Sequence, residues 1–339
     1  MGFFSFTREF AMDLGTANTV IMNGDRIVVD QPSVVAMDRQ TGEMVAVGEM
    51  AKMMYEKTSP RIRTVRPLKD GVIADFNACE MMMRGMLKMA DTERHLFTPS
   101  LKMVVGVPSG STEVELRAVR DSAERSGGRE VYLVYEPMAA AIGVGLDVLA
   151  PEGNMVVDIG GGSTEVAVIS LGGLVCDKSL RVAGDELTQD IQEYMSRQHD
   201  VRVSERMAER IKIHVGSALL DLGDEAPEDY VVYGPNKVSA LPMEVKVNYR
   251  EVAECMDATI TKLEDSILAA LEETPPELYA DIVVNGIWLT GGGAQLRGLS
   301  KRFQTKFNIP FHIAEDPLYS VVRGTGTVLK HVENYPFLM

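Results

Sequence analysis

The sequence predicts an α/β protein of two similar lobes, with mixed sheets inside and helices outside. Three observations predict it. Residues 13–20 read Asp-Leu-Gly-Thr-Ala-Asn-Thr-Val and residues 158–166 read Asp-Ile-Gly-Gly-Gly-Ser-Thr-Glu-Val. Each follows an apolar run, opens with Asp, turns at glycine and hydroxyl residues, and returns to an apolar run, the pattern of strand, tight turn and strand. The two copies open the two halves of the chain, and strands followed by helices come after each. A third glycine turn, Leu289-Thr290-Gly291-Gly292-Gly293-Ala294, closes another apolar run.

The elements follow in order. Residues 10–37 alternate as strands, with Asn23-Gly24 as a hairpin turn. Residues 38–75 are more polar and carry a basic run, Arg61, Arg63, Arg66 and Lys69, which reads as an inserted small subdomain and its return. Residues 77–90 are helical, and Met81, Met82, Met83, Met86 and Met89 suit a core or interface helix. A buried strand over 101–107 ends at Pro108. Thr112 and Glu115 form a capping box for a helix that stops at Gly127-Gly128. A short strand over 131–134 leads to an alanine-rich helix with Pro137 in its first turn. From 158 the order repeats: strands to about 181, helices near 185–199 and 204–220, short strands within 222–248, and a long helix near 250–273 ending at Pro275-Pro276. A strand over 282–289, the third glycine turn and a helix near 294–307 complete the second half.

Composition excludes several classes. A length of 339 residues suits two domains, and 45% hydrophobic with 24% charged residues is ordinary for a globular chain. The net charge of −15 repels nucleic acid and acidic lipid. Cys79, Cys176 and Cys255 are few and form no CxxC, which fits a reducing compartment without a disulfide framework or zinc site. The five histidines show no HExxH spacing. No apolar run approaches the ~18 residues of a membrane span. The N-terminus lacks the basic and apolar regions of a signal peptide, and Phe6 stands where a myristoylation motif needs Ser or Thr. Phe3, Phe4, Phe6 and Phe10 nevertheless crowd one end of the chain, where exposed aromatics need a partner.

The turns suit phosphate. Gly15 lets backbone approach an anion without a Cβ clash, and successive N–H groups with Thr16, Asn18 and Thr19 can donate to its oxygens. Asp13 and Asp158 are anionic and cannot bind phosphate directly; they can orient the water shell of Mg²⁺, which takes few carboxylates. No GxxxxGK[ST] occurs, and strand-like residues follow each turn, so neither a P-loop nor a Rossmann motif is present. Three glycine turns point to a nucleotide held in a cleft between the lobes.

These turns together resemble the actin / sugar-kinase / heat-shock-chaperone ATPase superfamily. Longer stretches are similar to its bacterial-actin (MreB-type) branch: DLGTANT at 13–19, RPLKDGVIADF at 66–76, EPMAAAIG at 136–143, VVDIGGGSTEVAVIS at 156–170, ERIK at 209–212 with Gly216-Ser217-Ala218, and LTGGGA at 289–294. The resemblance covers about residues 10–330. It implies an actin-like ATPase fold: two lobes of duplicated βββαβα type, each with a smaller insertion, and ATP with Mg²⁺ in the interlobe cleft. The implied boundaries are 1–36, 70–150 and 325–339 for the first lobe core, 37–69 for its small subdomain, 151–181 and 246–324 for the second core, and 182–245 for its small subdomain.

By position, Gly15, Thr16, Ala17 and Asn18 would form the first phosphate turn, and Gly160, Gly161, Gly162, Ser163 and Thr164 the second. Glu209 and Lys212 would flank ribose and adenine, with Gly291, Gly292 and Gly293 closing over the nucleoside. Asp13 and Asp158 would hold the Mg²⁺ water shell. Glu136, opening the EPMAAAIG helix near the γ-phosphate, would orient or deprotonate the attacking water, with Ser163 as second partner. Sparse machinery of this kind implies slow hydrolysis to ADP. The chain departs from the family at Ser163, where threonine is usual, and at Tyr135, where a second glutamate is common. Trp288 and His214 read as packing residues rather than ligands.

The resemblance also implies head-to-tail, non-closing filaments at the inner face of the cell membrane, maintaining rod shape by organising peptidoglycan synthesis with the transmembrane elongation machinery. The Leu96-Phe97 loop and the N-terminal segment would face lipid. Phe3, Phe6 and Phe10 have i, i+3, i+7 spacing for a short in-plane helix, and filament avidity would add many weak anchors. Hence Phe3, Phe4, Phe6, Leu96 and Phe97 form the expected membrane surface. The alternatives are a monomeric ATPase of the superfamily, either chaperone-like or a small-molecule kinase, and a pseudo-enzyme that keeps ATP as structural glue. A chain closing at Met339 leaves no room for a peptide-binding domain, and no sugar site or Asp base is assignable.

Overall fold

The computed structural model describes residues 7–55, 57, 60–91 and 100–339. The first lobe opens on an antiparallel meander of β1 (Thr7–Leu14), β2 (Asn18–Asn23) and β3 (Arg26–Pro32), with Gly24 at φ 59° in the second turn. A small sheet follows, from β4 (Val35–Asp38), β5 (Met44–Val47), the short helix α1 (Glu49–Met54) and β6 (Ile62–Val65), in order β5-β4-β6. The β7 (Leu68–Lys69) and β8 (Val72–Ile73) ribbon returns the chain to the core. There α2 (Phe76–Ala90), β9 (Ser100–Val107), α3 (Glu113–Arg125), β10 (Gly128–Tyr135) and α4 (Glu136–Gly143) complete a sheet ordered β10-β9-β1-β2-β3.

The second lobe repeats the plan. The meander is β11 (Asn154–Ile159), β12 (Thr164–Ser170) and β13 (Gly173–Leu180). Then come α5 (Gly184–Gln198), α6 (Glu205–Val215), the β14 (Tyr230–Pro235) and β15 (Pro242–Val247) hairpin, α7 (Tyr249–Glu273), α8 (Pro276–Asn285), β16 (Ile287–Thr290), α9 (Leu299–Phe307) and β17 (Phe311–Ile313). Its sheet is ordered β13-β12-β11-β16-β17. In both sheets an antiparallel meander is extended by two parallel strands on the side of its first strand. The final helix, α10 (Ser320–Lys330), packs on β1 and crosses α4.

Local chemistry explains these elements. Every residue of β11 and β12 is buried, as expected of strands covered on both faces. Thr112 and Glu115 make the reciprocal capping box of α3, and Asn248 with Glu251 does the same for α7. Met82, Met83 and Met86 are fully buried in the first-lobe core while Met89 is exposed, so the methionine helix is core on one face. Each such burial contributes about 1.5–3 kcal/mol. Trp288 packs against the cluster shared by α4 and α10, and His214 stacks on Tyr230 at 4.4 Å.

Three expectations are corrected. The strand expected over 282–289 is only Ile287–Thr290, because Pro275-Pro276 does not merely stop α7. Pro276 occupies the first turn of α8, where a missing N–H costs nothing. The helix expected to reach 220 stops at Val215, since Gly216 turns extended (ψ 138°). Phe10 does not join an in-plane helix: it lies in β1, 1% exposed. Phe3, Phe4, Phe6, Leu96 and Phe97 fall outside the described residues.

The crossing of α4 and α10 is unusually close. A Cβ at Gly324 would stand 1.7 Å from the Ala139 carbonyl oxygen, and one at Gly143 would stand 1.9 Å from that of Ser320. Only glycine permits this approach. The crossing fixes α4, and therefore Glu136 at its first position, against the segment that returns the chain to the first lobe.

Candidate functional site

A cleft of about 860 Å³ lies between the lobes. Its walls include Asp13, Gly15, Thr16, Ala17, Asn18, Glu136, Asp158, Gly160, Gly161, Gly162, Ser163, Glu209, Lys212, Gly291, Gly292 and Gly293. Thr164 does not line it: that residue is buried and its hydroxyl donates to the Val182 carbonyl at 2.8 Å. Strand alternation explains this, because Thr164 points to the opposite face from Ser163 and Glu165.

The first two turns face each other. A Cβ at Gly161 would stand 2.7 Å from that of Ala17, and one at Gly162 would stand 2.7 Å from Thr16 Oγ1. Thr16 Oγ1 in turn accepts the Gly71 N–H at 3.0 Å. The first turn is braced from behind by Ser33, whose hydroxyl donates to the Gly15 carbonyl at 2.6 Å and meets Thr19 Oγ1 at 2.9 Å. The third turn rests on the end of β11: Gly291 has φ 78°, and a Cβ at Gly293 would stand 2.2 Å from Ile159 Cγ2. At that end of the cleft, Lys212 Nζ is held by Glu209 at 2.7 Å, by the Gly184 carbonyl at 2.7 Å and by Thr188 Oγ1 at 2.9 Å.

Asp13 on β1 and Asp158 on β11 occupy equivalent places in the two lobes, each at the end of a strand that enters a glycine turn. Burial, then the charge of Asp158, pushes the Asp13 carboxyl up to about 7. Burial raises Asp158 to about 6, although the Thr290 hydroxyl donates to it at 2.7 Å. Glu136, 8% exposed, is held well above the usual carboxylate range by burial and then by Asp13, Glu165 and Asp158. Glu165 is raised by burial against three hydrogen bonds that lower it. Asp13, Glu136 and Asp158 gathered in the cleft form an electronegative floor, which suits a divalent ion. Among the described residues no group of three or more His, Cys, Asp or Glu could hold a metal directly. The donor set therefore fits an ion held through its waters rather than an all-protein cage.

Several residues here carried no local signal. Ser33 is one. Glu165 reads in sequence only as part of the strand after the second glycine turn. Arg66 belongs to the basic run within residues 38–75; its guanidinium binds Asp185 at 3.2 Å and also Glu205, both across the cleft on the second lobe. Arg66, Asp185 and Glu205 line the cleft.

A family model described as MreB/Mbl protein matches residues 7–336. Cell shape-determining protein Mbl of Bacillus subtilis (strain 168) is 41% identical over 332 residues, covering 98% of each chain. Cell shape-determining protein MreB of Escherichia coli (strain K12) is 44% identical over 333 residues, covering 97% of this chain and 95% of that one. The crystal structure of MreB5 of Spiroplasma citri bound to AMPPNP superimposes with a TM-score of 0.89 at 34% identity, covering 97% of both chains.

Proposed function

Because the chain belongs to the MreB/Mbl family, with the actin-like two-lobe fold, we propose that it is a cell shape-determining ATPase. It binds ATP in the interlobe cleft, hydrolyses it slowly to ADP, and polymerises head to tail into membrane-associated filaments that organise peptidoglycan synthesis with transmembrane partners. The observation that carries the ATPase reading is the apposition of two glycine turns around three acids, the buried Glu136 and Asp158 and the half-buried Asp13. The four-part division at residues 37–69 and 182–245 belongs to the same reading.

The chain's own groups assign the steps. Backbone N–H groups of Gly15–Asn18 and Gly160–Ser163 donate to the β- and γ-phosphate oxygens. Mg²⁺, when bound, offsets phosphate charge, and Asp13 and Asp158 would hold its water shell. Glu136 accepts a proton from the attacking water, and Ser163 orients that water. Glu209 and Lys212 flank the ribose and adenine; nucleotide binding is supported by the similarity to MreB5 of Spiroplasma citri, solved bound to AMPPNP. Positioning supplies most of the catalysis. Among the described residues no helix is long and apolar enough to cross a membrane. The proposed peripheral attachment at the inner face of the cell membrane rests on Phe3, Phe4, Phe6, Leu96 and Phe97.

The test is phosphate release by Glu136→Gln. Loss of a positioned base costs about 10²–10⁴-fold, so release should fall at least 100-fold while nucleotide still binds. Release at the wild-type rate from folded Glu136→Gln protein contradicts the hydrolytic reading.

A further inference from the structure

Glu165 is an acid that the proposed hydrolysis does not use. It lies on β12 opposite Asp158 of β11 and is 1% exposed. A carboxylate taken this far out of water is costly unless its oxygens are satisfied. Here they are: Oε2 accepts the Ser109 N–H at 3.1 Å and the Ser109 hydroxyl at 2.6 Å, and Oε1 accepts the Ser179 hydroxyl at 2.7 Å. Ser179 belongs to β13 of the same lobe. Ser109 belongs to the other lobe, in the loop that leaves β9.

That loop also touches the reacting centre. A Cβ at Gly106, near the end of β9, would stand 3.5 Å from Glu136 Cγ. A Cβ at Gly71 would stand 2.9 Å from Ser163 Oγ and 3.2 Å from Pro108 Cγ. A Cβ at Gly110 would stand 2.6 Å from that of Ser179, so the loop meets β13 at this point. One stretch, 106–110, therefore packs beside Glu136 at one end and is bonded to the second lobe at the other. The tie is charge-assisted, roughly twice the strength of a neutral one.

We propose that Glu165 is a positioning residue for hydrolysis: by holding Ser109 across the lobe boundary it fixes the 106–110 stretch, and with it Glu136, relative to the second glycine turn. The inference rests on the hydrolytic reading above. Its mechanism is geometric, and displacements of about 1 Å at such a centre cost up to about 100-fold.

The full chain is compared with Glu165→Ala, Glu165→Gln, Ser109→Ala and Ser109→Ala/Glu165→Ala, reading phosphate release, affinity for a fluorescent ATP analogue and thermal midpoint. Glu165→Ala should lower kcat about ten-fold or more while analogue affinity stays within about two-fold. Glu165→Gln should recover most of the loss, because its amide oxygen still accepts from Ser109. Ser109→Ala should cost less, and should add little to Glu165→Ala. Wild-type kcat in Glu165→Ala, affinity falling in step with kcat, or a Gln variant no better than Ala overturns the proposal. Should Glu165→Ala not fold, Ser109→Ala decides alone: lowered kcat at unchanged affinity supports the tie, and unchanged kcat refutes it. Glu136→Gln run in parallel separates the two claims. If it abolishes release while the Glu165 and Ser109 variants keep theirs, hydrolysis stands and the positioning role falls; if it leaves release intact, both fall.

Discussion

Asp13 and Asp158 hold their protons more tightly in the folded chain than an exposed carboxylate does, near 7 and near 6 against about 4. Raised folded values mean that the native state binds more protons than the unfolded one. Stability from this source is full below about pH 4 and is lost as pH rises towards 7. Asn is neutral at every pH and imitates the protonated acid. Without nucleotide or Mg²⁺, Asp13→Asn should therefore raise the thermal midpoint at pH 8 and leave it unchanged near pH 4. An equal gain at both values contradicts the assigned cause. The pattern of Asp followed by Gly after an apolar run made both acids legible in sequence, because their place depends only on the strand that carries them. Ser33 and Glu165 were not legible: each acts through a partner from a distant segment, Gly15 and Ser109, and nothing beside them in sequence marks the pairing.

Arg66 stands between β6 and β7, and its partners Asp185 and Glu205 lie in the first turns of α5 and α6. All three residues line the cleft, so on the proposed function these ion pairs across it would slow the departure of a bound nucleotide. The Arg66 side chain is 23% exposed, more protected than a surface pair. Arg66→Ala should release nucleotide faster by about five-fold, equivalent to ~1 kcal/mol, and Glu205→Ala should add little to it. Independent, additive effects on the dissociation rate would show that the two residues do not act as a latch. Asp185 and Glu205 lie 119 and 139 residues from Arg66 in sequence, which is why the basic run alone could not assign them. Elements built on local signals were legible: both capping boxes, Pro137 at the start of α4, and the meanders around the glycine turns. α8 was not, because Ile282, Val283 and Val284 imitate a strand while the helix is set by Pro276 and by packing of Ile282. Phe10 shows the converse error. Its spacing from Phe3 and Phe6 suits a helix, yet pairing of β1 with β2 and β9 places it in the core.

At the scale of the whole molecule, duplication was legible because the same turn appears twice, and duplication of the sheet order followed from it. The closeness of the α4–α10 crossing was not, since Gly143 and Gly324 reveal their role only when the two helices meet. The lobes are tied across the cleft at Glu165–Ser109 and at Arg66, so occupation of the cleft would be felt by both. A polymer of such subunits would present the N-terminal and 96–97 aromatics many times over, and weak anchors would sum. Replacing Phe3, Phe4, Phe6, Leu96 and Phe97 with Ser should leave filaments intact and abolish their co-sedimentation with liposomes; unchanged co-sedimentation removes the membrane assignment. The central claim, a nucleotide-controlled polymer, is tested most directly by electron microscopy of the purified chain on a lipid monolayer, with ATP and Mg²⁺ and without nucleotide. Filaments lying on the lipid only when nucleotide is present are the predicted result, and dispersed particles of folded protein under both conditions would contradict it.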